Sequence, residues 1–293
     1  MTDTVGVIGL GQMGSAMAQT LRREGFTLLC HDLNEQALHE ARGLGCMIAT
    51  GVGQIGEECQ RILLSLPSGA VVRTVLFDGD QALLASARGD QVVVDTSTLA
   101  PDDAREFATR LATRNVAYLD APVSGGRVGA LNGTLAMMVG GAADTIERVR
   151  PLLDALVARL THVGDSGAGQ VAKLANNLLC AAHLLTTSEA LKMAERAGVD
   201  PERVLTAVNG GSGASSVSQN AYPAWILSGS YDSGFSAGLM RKDVALAAAL
   251  IESLGLELPL SEQTTRRWRQ SVTRLADADD FVAITRFAGE GFD

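Results

Sequence analysis

Up to about residue 164, short apolar runs alternate along the chain with longer segments in which apolar residues recur every three to four positions. Runs bounded by turn residues are typical of buried strands, and a period near 3.6 is typical of helices. Strands are predicted at residues 5–9, 26–31, 46–49, 61–66, 91–95, 116–119, 134–139 and 161–163, with helices between most of them, for example at 101–114 and 143–158. This alternation predicts a parallel sheet covered by helices on both faces.

After residue 164 the strand pattern disappears. One long helix is predicted over residues 169–197, ended by Gly198 and Pro201. Further helices are predicted at residues 201–209, 217–227, 236–254 and 259–275. The second half is therefore expected to be all-helical.

A glycine-rich turn follows the first predicted strand and leads into a helical segment with Met13, Met17 and Leu21 on its buried face. The turn reads Gly9-Leu10-Gly11-Gln12-Met13-Gly14. In the dinucleotide fingerprint, the first glycine permits the tight turn, the second lets backbone approach a pyrophosphate, and the third lets the helix pack closely on the strand. The N–H groups and dipole of the helix N-terminus then hold the phosphates. An ordinary tight turn is the simpler alternative for the glycines alone.

An acidic residue stands where the fingerprint requires one. Asp32 ends the second predicted strand, 18 residues beyond Gly14, and a carboxylate about 20 residues on is expected to bind the ribose hydroxyls. The whole pattern predicts an α/β protein: an N-terminal Rossmann dinucleotide-binding domain over residues 1–164, followed by an all-α C-terminal domain over residues 165–293, the two joined by the long helix. Ligands are expected to bind in a cleft between these halves.

Composition excludes several function classes. The chain has 293 residues, 46% of them hydrophobic and 19% charged, with a formal net charge of −9. That charge disfavours nucleic acid as a partner, and the basic cluster Arg266, Arg267 and Arg269 beside Trp268 is interpreted as a solvated helix face. No apolar run reaches the ~18 residues of a membrane span, and no leader-like segment precedes the first strand, so a cytoplasmic protein is expected.

The cysteines and histidines show no metal-type spacing. Cys30, Cys46, Cys59 and Cys180 form no CxxC pair, and the four histidines are scattered. Three of the cysteines lie in apolar runs and are expected to pack as small hydrophobic side chains. No metal site is predicted.

Lysine is rare in this chain. Of 24 basic side chains, only Lys173, Lys192 and Lys242 are lysines. Unlike arginine, a lysine amine can lose its proton, and burial lowers its pKa. Lys173 lies near the start of the long helix, and Asn177 follows one turn later on the same face. An amine beside an amide suits proton transfer in carbonyl–alcohol interconversion, although a surface lysine has the same spacing.

A second glycine-rich segment follows the strand predicted at 116–119. It reads Asp120-Ala121-Pro122-Val123-Ser124-Gly125-Gly126. Open α/β sheets bind ligands at the carboxyl ends of their strands. The Ser124 hydroxyl and the amides of Gly125 and Gly126 could hold a carboxylate. A plain glycine turn is the alternative.

Four motifs together resemble the β-hydroxyacid dehydrogenase family, which includes 3-hydroxyisobutyrate dehydrogenase and tartronate semialdehyde reductase. They are GLGQMGSAMA at 9–18, DAPVSGG at 120–126, GQVAKLANN at 169–177 and LMRKD at 239–243. The resemblance follows family order and spacing and covers nearly the whole chain.

The resemblance implies a role for individual residues. It gives Lys173 the role of catalytic acid and base, and Ser124, Gly125, Gly126 and Asn177 the binding of the substrate. It also implies that the nicotinamide side of the cofactor is lined by Leu66, Pro67 and Thr98 and covered by Lys242, while residues 9–14 and Asp32 bind the rest.

The sequence favours NAD over NADP. Family members that prefer NADP often carry Asn-Arg-Thr after the second strand, whereas this chain has Asp32-Leu33-Asn34. No arginine stands there to receive a 2′-phosphate, and Asp32 would repel one.

The predicted activity is NAD-dependent oxidation of a small β-hydroxy acid. The acid is not identified: 3-hydroxyisobutyrate, glycerate, serine, threonate and 4-hydroxybutyrate all fit. The alternatives are an NADPH-dependent reductase of tartronate or succinic semialdehyde and a catalytically silent cofactor-binding protein. Imine reductases share this fold but generally lack the lysine.

A homodimer or homotetramer is expected, held by the helical half through apolar runs such as residues 244–251.

Overall fold

Among the described residues, the eight strands predicted in the first half of the chain and one further short strand form one sheet of nine strands. The structure, a computed structural model, describes residues 4–290 and divides into two compact units after Lys173. The strands are β1 (Thr4–Ile8), β2 (Thr27–His31), β3 (Met47–Ile48), β4 (Arg61–Leu64), β5 (Val92–Asp95), β6 (Ala117–Asp120), β7 (Val123–Ser124), β8 (Leu135–Gly140) and β9 (Val157–Gly164). The sheet order is β3-β2-β1-β4-β5-β6-β8-β7, with β9 also paired to β8.

The first six strands are parallel, in the order of a dinucleotide-binding sheet. The helices of this unit are α1 (Gln12–Arg23), α2 (Glu35–Gly43), α3 (Val52–Glu58), α4 (Gly69–Phe77), α5 (Leu83–Ser86), α6 (Pro101–Ala112), α7 (Gly126–Asn132), α8 (Ala143–Arg148) and α9 (Arg150–Asp154). A long helix, α10 (Ala168–Arg196), then runs through the division between the units. The Rossmann-type fold and the long helix are confirmed.

Two cores cover the two faces of this sheet. Successive strand residues point to opposite faces, so Val92 and Val94 of β5 join one core while Val93 joins the other. Helices α1 and α2 cover the first face, and α4 and α6 cover the second. Met17 and Leu21 of α1 are fully buried, as predicted, whereas Met13 is half-buried.

The expectation of a wholly parallel sheet is wrong at its end. Strand β8 runs antiparallel to β6 and β7, and the two-residue strand β7 was not predicted. A parallel return needs a crossover connection of about a dozen residues or more. Helix α7 has seven residues, about 10 Å, so β8 begins where β7 ends and runs back.

The single helix predicted over residues 143–158 is also wrong. It is two short helices, α8 and α9, followed by β9 from Val157. Pro151 explains the break because it lacks an N–H and its ring would clash with the carbonyl of Glu147. The chain restarts with Pro151 in the first turn of α9, where proline is tolerated.

The regular elements of the second unit are helical, as predicted. They are the rest of α10, α11 (Pro201–Asn209), a π-helical segment (Val217–Ile226), α12 (Ala237–Ser253), α13 (Pro259–Gln270) and two short 3₁₀ segments (Ser271–Thr273 and Phe281–Phe287). Helix α13 ends earlier than predicted, and the second 3₁₀ segment was not predicted. Trp268 is fully buried at the centre, and its indole N–H donates to the carbonyl of Ala181 at 3.2 Å.

The segment predicted as an ordinary helix at 217–227 has π-helical hydrogen bonding. In a π-helix each N–H donates to the carbonyl five residues earlier, as Leu227 does to Tyr222 at 2.8 Å. Pro223 has no N–H and cannot donate to Ser218 in this way. The side-chain amide of Asn209 donates to the Ser218 carbonyl instead, at 3.0 Å.

Candidate functional site

The turn between β1 and α1 needs glycine at two positions. Gly9 has a φ of +93°, and a side chain there would overlap the carbonyl oxygen of Ser65. A side chain on Gly14 would overlap the carbonyl oxygen of Gly9. The turn therefore brings the start of the helix directly onto the end of the strand, as the fingerprint predicts.

The second glycine of the fingerprint, Gly11, faces open space. A Cβ on Gly11 would have no atom within 4 Å. Gly11 is the N-cap of α1, no side chain caps this helix end, and its first turn carries no acidic residue. Gln12 is exposed and Met13 half-buried beside it, whereas Leu10 is buried. A helix end with open space before it and no carboxylate of its own suits a bound phosphate.

The Asp32 carboxylate lies next to the glycine turn and stabilises it through a hydrogen bond. Its Oδ2 accepts a hydrogen bond from the Leu10 N–H at 2.6 Å, and its Oδ1 accepts one from the Asn34 N–H at 2.8 Å. A carboxylate has about four acceptor positions, so two stay available on this half-buried side chain. The arrangement fits a ribose diol, and the nearest charged neighbour in sequence is the acidic Glu35.

The ends of β4 and β5 bring the predicted nicotinamide-side residues to one edge of the sheet. The two strands pair in parallel, with Leu64 opposite Asp95. Beyond them, the Leu66 N–H donates to the hydroxyl of Ser97 at 3.0 Å. Thr98 follows Ser97 and Pro67 follows Leu66, so these predicted residues lie on neighbouring loops.

The second glycine-rich segment lies beyond the end of β6. Ser124 closes β7, is half-buried, and pairs with Ala136 of β8. Gly125 and Gly126 follow with φ values of +125° and +62°, and α7 begins there. Because β6 is parallel to β5, this loop lies at the same edge of the sheet as Ser97.

Lys173 and Asn177 lie one turn apart on α10, and both are buried. Lys173 is 8% exposed and Asn177 5% exposed. The Asn177 amide donates to Oδ2 of Asp243 at 2.6 Å, and its carbonyl accepts from the Asn176 amide at 3.0 Å. These two bonds fix the direction in which the Asn177 amide points.

Asp243 is a polar residue that the sequence reasoning missed. It is 2% exposed on α12, and its Oδ1 lies 3.2 Å from the Lys242 Nζ. One buried carboxylate thus contacts both Asn177 and Lys242. Its place in the LMRKD motif, beside Lys242, was the available signal.

Two more buried carboxylates end neighbouring strands. Asp95 and Asp120 lie opposite each other in the register of β5 and β6. Asp95 accepts hydrogen bonds from the Ser97 N–H at 2.9 Å and from the Tyr118 hydroxyl at 2.8 Å. Burial raises the pKa of Asp95 to about 6 and also raises the pKa of Asp120. An aspartate that closes an apolar strand was the sequence signal for each.

The raised pKa of Asp95 predicts a pH-dependent stability. An unfolded aspartate titrates near 3.9, so the folded protein binds this proton more tightly and loses stability as the pH rises from about 4 to 6. Asp95→Asn removes this dependence. We expect the free energy of unfolding of the wild type, relative to Asp95→Asn, to fall by about 2 kcal/mol between about pH 4.5 and 7.5. Urea unfolding of both proteins at the two pH values measures it, and a difference independent of pH would contradict the raised pKa.

The cysteines and the arginines beside Trp268 have ordinary structural surroundings. Cys30, Cys46 and Cys59 are buried in the two sheet cores, and Cys180 is half-buried. Around the buried Trp268, Arg266 and Arg269 are exposed and Arg267 is half-buried, so the solvated helix face is confirmed for Arg266 and Arg269. Over residues 4–290, no cluster of three or more His, Cys, Asp or Glu side chains is arranged to hold a metal ion. In the same part of the chain, no helix has the length and apolar character to cross a membrane.

Two family models match the chain. The first, described as the NAD binding domain of 6-phosphogluconate dehydrogenase, matches residues 4–164. The second, described as the NAD-binding domain of NADP-dependent 3-hydroxyisobutyrate dehydrogenase, matches residues 167–288. Together they support binding of a nicotinamide dinucleotide.

Individual relatives match over nearly their whole length. A 3-hydroxyisobutyrate dehydrogenase from Pseudomonas aeruginosa is 38% identical, over 98% of this chain and 98% of its own. A 2-hydroxy-3-oxopropionate reductase from Escherichia coli is 37% identical, over 87% of this chain and 86% of its own. The solved structure of a Mycobacterium tuberculosis 3-hydroxyisobutyrate dehydrogenase with L-serine matches with a TM-score of 0.90 and 31% identity, covering 98% of this chain and 99% of that one.

Proposed function

Because this chain belongs to the β-hydroxyacid dehydrogenase family, we propose that it interconverts a small β-hydroxy acid and its semialdehyde or keto form, with NAD as cofactor and Lys173 as general acid and base. The proposal rests above all on Lys173. A lysine residue that is 8% exposed, in a chain where 21 of the 24 basic side chains are arginine, fits a group that must gain and lose a proton. Asn177 lies one helical turn after Lys173, and its side-chain amide, held in one direction, can orient the substrate oxygen beside the amine.

When bound, a nicotinamide cofactor supplies hydride transfer to and from the carbinol carbon of the substrate. In oxidation, the Lys173 amine takes the hydroxyl proton as the C–H hydrogen leaves with its electron pair. In reduction, the Lys173 ammonium returns that proton to the carbonyl oxygen. Asn177 donates to or accepts from the same oxygen, and the Ser124 hydroxyl with the amides of Gly125 and Gly126 holds the carboxylate.

The cofactor is proposed to occupy the edge of the sheet described above. The N-terminus of α1 binds the pyrophosphate, and Asp32 binds the adenosine ribose. Leu66, Pro67 and Thr98 line the nicotinamide side, and Lys242 covers it. The charge of Asp32 favours NAD, while an NADPH-dependent semialdehyde reductase is the second candidate, because one matching family model is described as NADP-dependent.

A spectrophotometric screen tests this function. The purified chain is assayed at 340 nm with 3-hydroxyisobutyrate, glycerate, serine, threonate and 4-hydroxybutyrate, each with NAD and with NADP, and with tartronate and succinic semialdehydes in the reductive direction. We expect turnover of at least one acid with NAD. Turnover confined to a semialdehyde with NADPH would support the second candidate, and no turnover at all with bound NADH would support a silent cofactor-binding protein.

A homodimer or homotetramer is proposed, held by the helical unit. Within residues 244–251, Val244 is buried, Leu246, Leu250 and Ile251 are half-buried, and the exposed residues are alanines. Large exposed apolar side chains lie elsewhere in this unit, at Leu179, Met193, Leu254, Leu260 and Val272. Light scattering at micromolar concentration should give a mass at least twice the 30.5 kDa of one chain. A monomer would contradict this prediction.

A further inference from the structure

Gln170 is a fully buried polar residue in the first turn of α10. Its side-chain Oε1 accepts a hydrogen bond from the Leu99 N–H at 3.1 Å, and its Nε2 donates to the Ser97 carbonyl at 2.9 Å. The amide therefore pairs with the backbone on both sides of Thr98. It uses an acceptor on one side and a donor on the other, which few side chains can supply together.

The loop that Gln170 holds is also tied to the sheet through Ser97. The Ser97 N–H donates to Oδ1 of Asp95 at 2.9 Å, and the Ser97 hydroxyl accepts from the Leu66 N–H at 3.0 Å. A continuous set of hydrogen bonds thus runs from Leu66 through Ser97 to Gln170. Leu66 and Thr98 are both proposed nicotinamide-side residues, so this network fixes the loops on which they lie.

Asp120 holds the backbone of the same helical turn. Its Oδ1 accepts from the Gly167 N–H at 2.7 Å, and its Oδ2 accepts from the Gln170 N–H at 3.0 Å. The first N–H groups of a helix have no partners within the helix, and a carboxylate there is favoured by the dipole. A Cβ on Gly169 would lie 2.6 Å from the Asp120 carbonyl oxygen, so the helix rests directly on the end of β6.

We propose that Gln170 is a positioning residue for hydride transfer, which sets the place of the Thr98 loop relative to Lys173. Lys173 follows Gln170 by three residues on α10, so its position depends on the helical turn that this network holds. If the turn shifts, the amine moves relative to the nicotinamide side of the site, and a displacement of about 1 Å can cost about 10²-fold in rate. This inference rests on the proposed function.

Two substitutions separate the hydrogen bonds of Gln170 from its volume. Gln170→Met keeps the length of the side chain and removes both hydrogen bonds. Gln170→Glu keeps an acceptor for Leu99 and, when protonated, a donor for Ser97. When this glutamate is ionised, it places an acceptor oxygen against the Ser97 carbonyl, which repels it. The activity of Gln170→Glu, divided by that of the wild type at the same pH, should therefore depend on pH.

Gln91 offers a matched control. It is also a buried glutamine, 1% exposed, and its Nε2 donates to the carbonyls of Gly56 and Cys59, both at 2.8 Å. It precedes β5 and so lies at the opposite edge of the sheet from Asp95. Gln91→Met should lower thermal stability while leaving kcat per folded molecule within about threefold of wild type.

We expect Gln170→Met to lower kcat about 10–100-fold per folded molecule, with the Kd for NADH from fluorescence titration within about threefold of wild type. The kcat of Gln170→Glu, divided by that of the wild type at each pH, should fall by about tenfold or more from about pH 5.5 to 8.5. A kcat for Gln170→Met above a third of wild type, or a flat ratio for Gln170→Glu, would overturn the positioning role.

A readout that needs no turnover distinguishes this inference from the proposed function. Brief acetylation with acetic anhydride, resolved by peptide mass spectrometry, compares Lys173 with Lys192, whose side chain is 37% exposed and ion-paired to Glu195 at 2.6 Å. Gln170→Met should raise the Lys173/Lys192 labelling ratio at least about threefold, and Gln91→Met should not. If the wild type turns over no hydroxy acid, the proposed function fails, and an unchanged ratio in Gln170→Met then overturns the positioning role as well.

Discussion

Lys173→Arg and Lys173→Ala are each expected to lower kcat by about 10²–10⁴, the usual contribution of general acid–base catalysis. If Lys173 served only as a positive charge, arginine would replace it tolerably, as arginine supplies 21 of the 24 cations of this chain. An arginine cannot act as a base near neutral pH because its pKa is above 12. The measurement is kcat under saturating substrate, beside an NADH fluorescence titration that should be unchanged, since residues 9–14 are untouched.

The other two lysines supply the controls for this experiment. Lys192→Arg should leave kcat within about twofold, because its exposed ion pair with Glu195 accepts either cation. Lys242→Arg should be much milder than Lys173→Arg if that residue acts through charge. Small primary amines added to Lys173→Ala should restore part of kcat, and more so at higher pH. A Lys173→Arg enzyme that keeps more than a tenth of wild-type kcat would overturn the proton-transfer role.

The wild type is expected to prefer NAD over NADP by about tenfold or more in kcat/KM, a difference of about 1.4 kcal/mol. The charge of Asp32 repels the 2′-phosphate, and its free acceptor positions suit the ribose hydroxyls. Asp32→Ser should gain activity with NADP. Comparable kcat/KM values for the two cofactors in the wild type would contradict the assignment.

The hydrogen bond from Leu10 to Asp32 makes a second variant necessary. Asp32→Ser removes the charge but also the acceptor that supports the glycine turn at 2.6 Å, so its gain with NADP should be smaller than that of a variant that keeps an acceptor for the Leu10 N–H. Asp32→Asn removes the charge and keeps a carbonyl for the Leu10 N–H. The triple variant D32N/L33R/N34T adds an arginine at a position that is 92% exposed, where it can reach a phosphate. Binding of NADP should rise from Asp32→Asn to the triple variant, and no rise would indicate that the 2′-phosphate lies elsewhere.

The sequence predicted those features that a local pattern carries. The three glycines and Asp32 lie in fixed positions along one βαβ unit, so their spacing predicted the first turn, and the alternation of apolar runs with helical segments predicted the parallel strands. The direction of β8 was not predictable from its own residues, because it depends on the shortness of α7. The break at Pro151 could have been read from the sequence, since proline at that position ends a helix.

The buried polar residues of the candidate site were harder to predict. Gln170 bonds to Ser97 and Leu99, more than 70 positions earlier in the chain, and Asp243 bonds to Asn177 across 66 positions. A single sequence contains no pattern that pairs such distant residues. Both lie inside motifs that were recognised for other residues, beside Lys173 and Lys242.

The pairing of Asn209 with the π-helical segment implies coupled evolution at two positions. Asn209 donates to the Ser218 carbonyl, which Pro223 cannot do because it has no backbone N–H. A relative with any other residue at the position of Pro223 has a backbone N–H for that carbonyl and no need of an amide at the position of Asn209. The Oδ1 of Asn209 is buried without a hydrogen-bond partner among the described residues, so retaining the amide has a cost. Substitutions at these two positions should therefore occur together among homologues, proline with asparagine and non-proline with apolar residues.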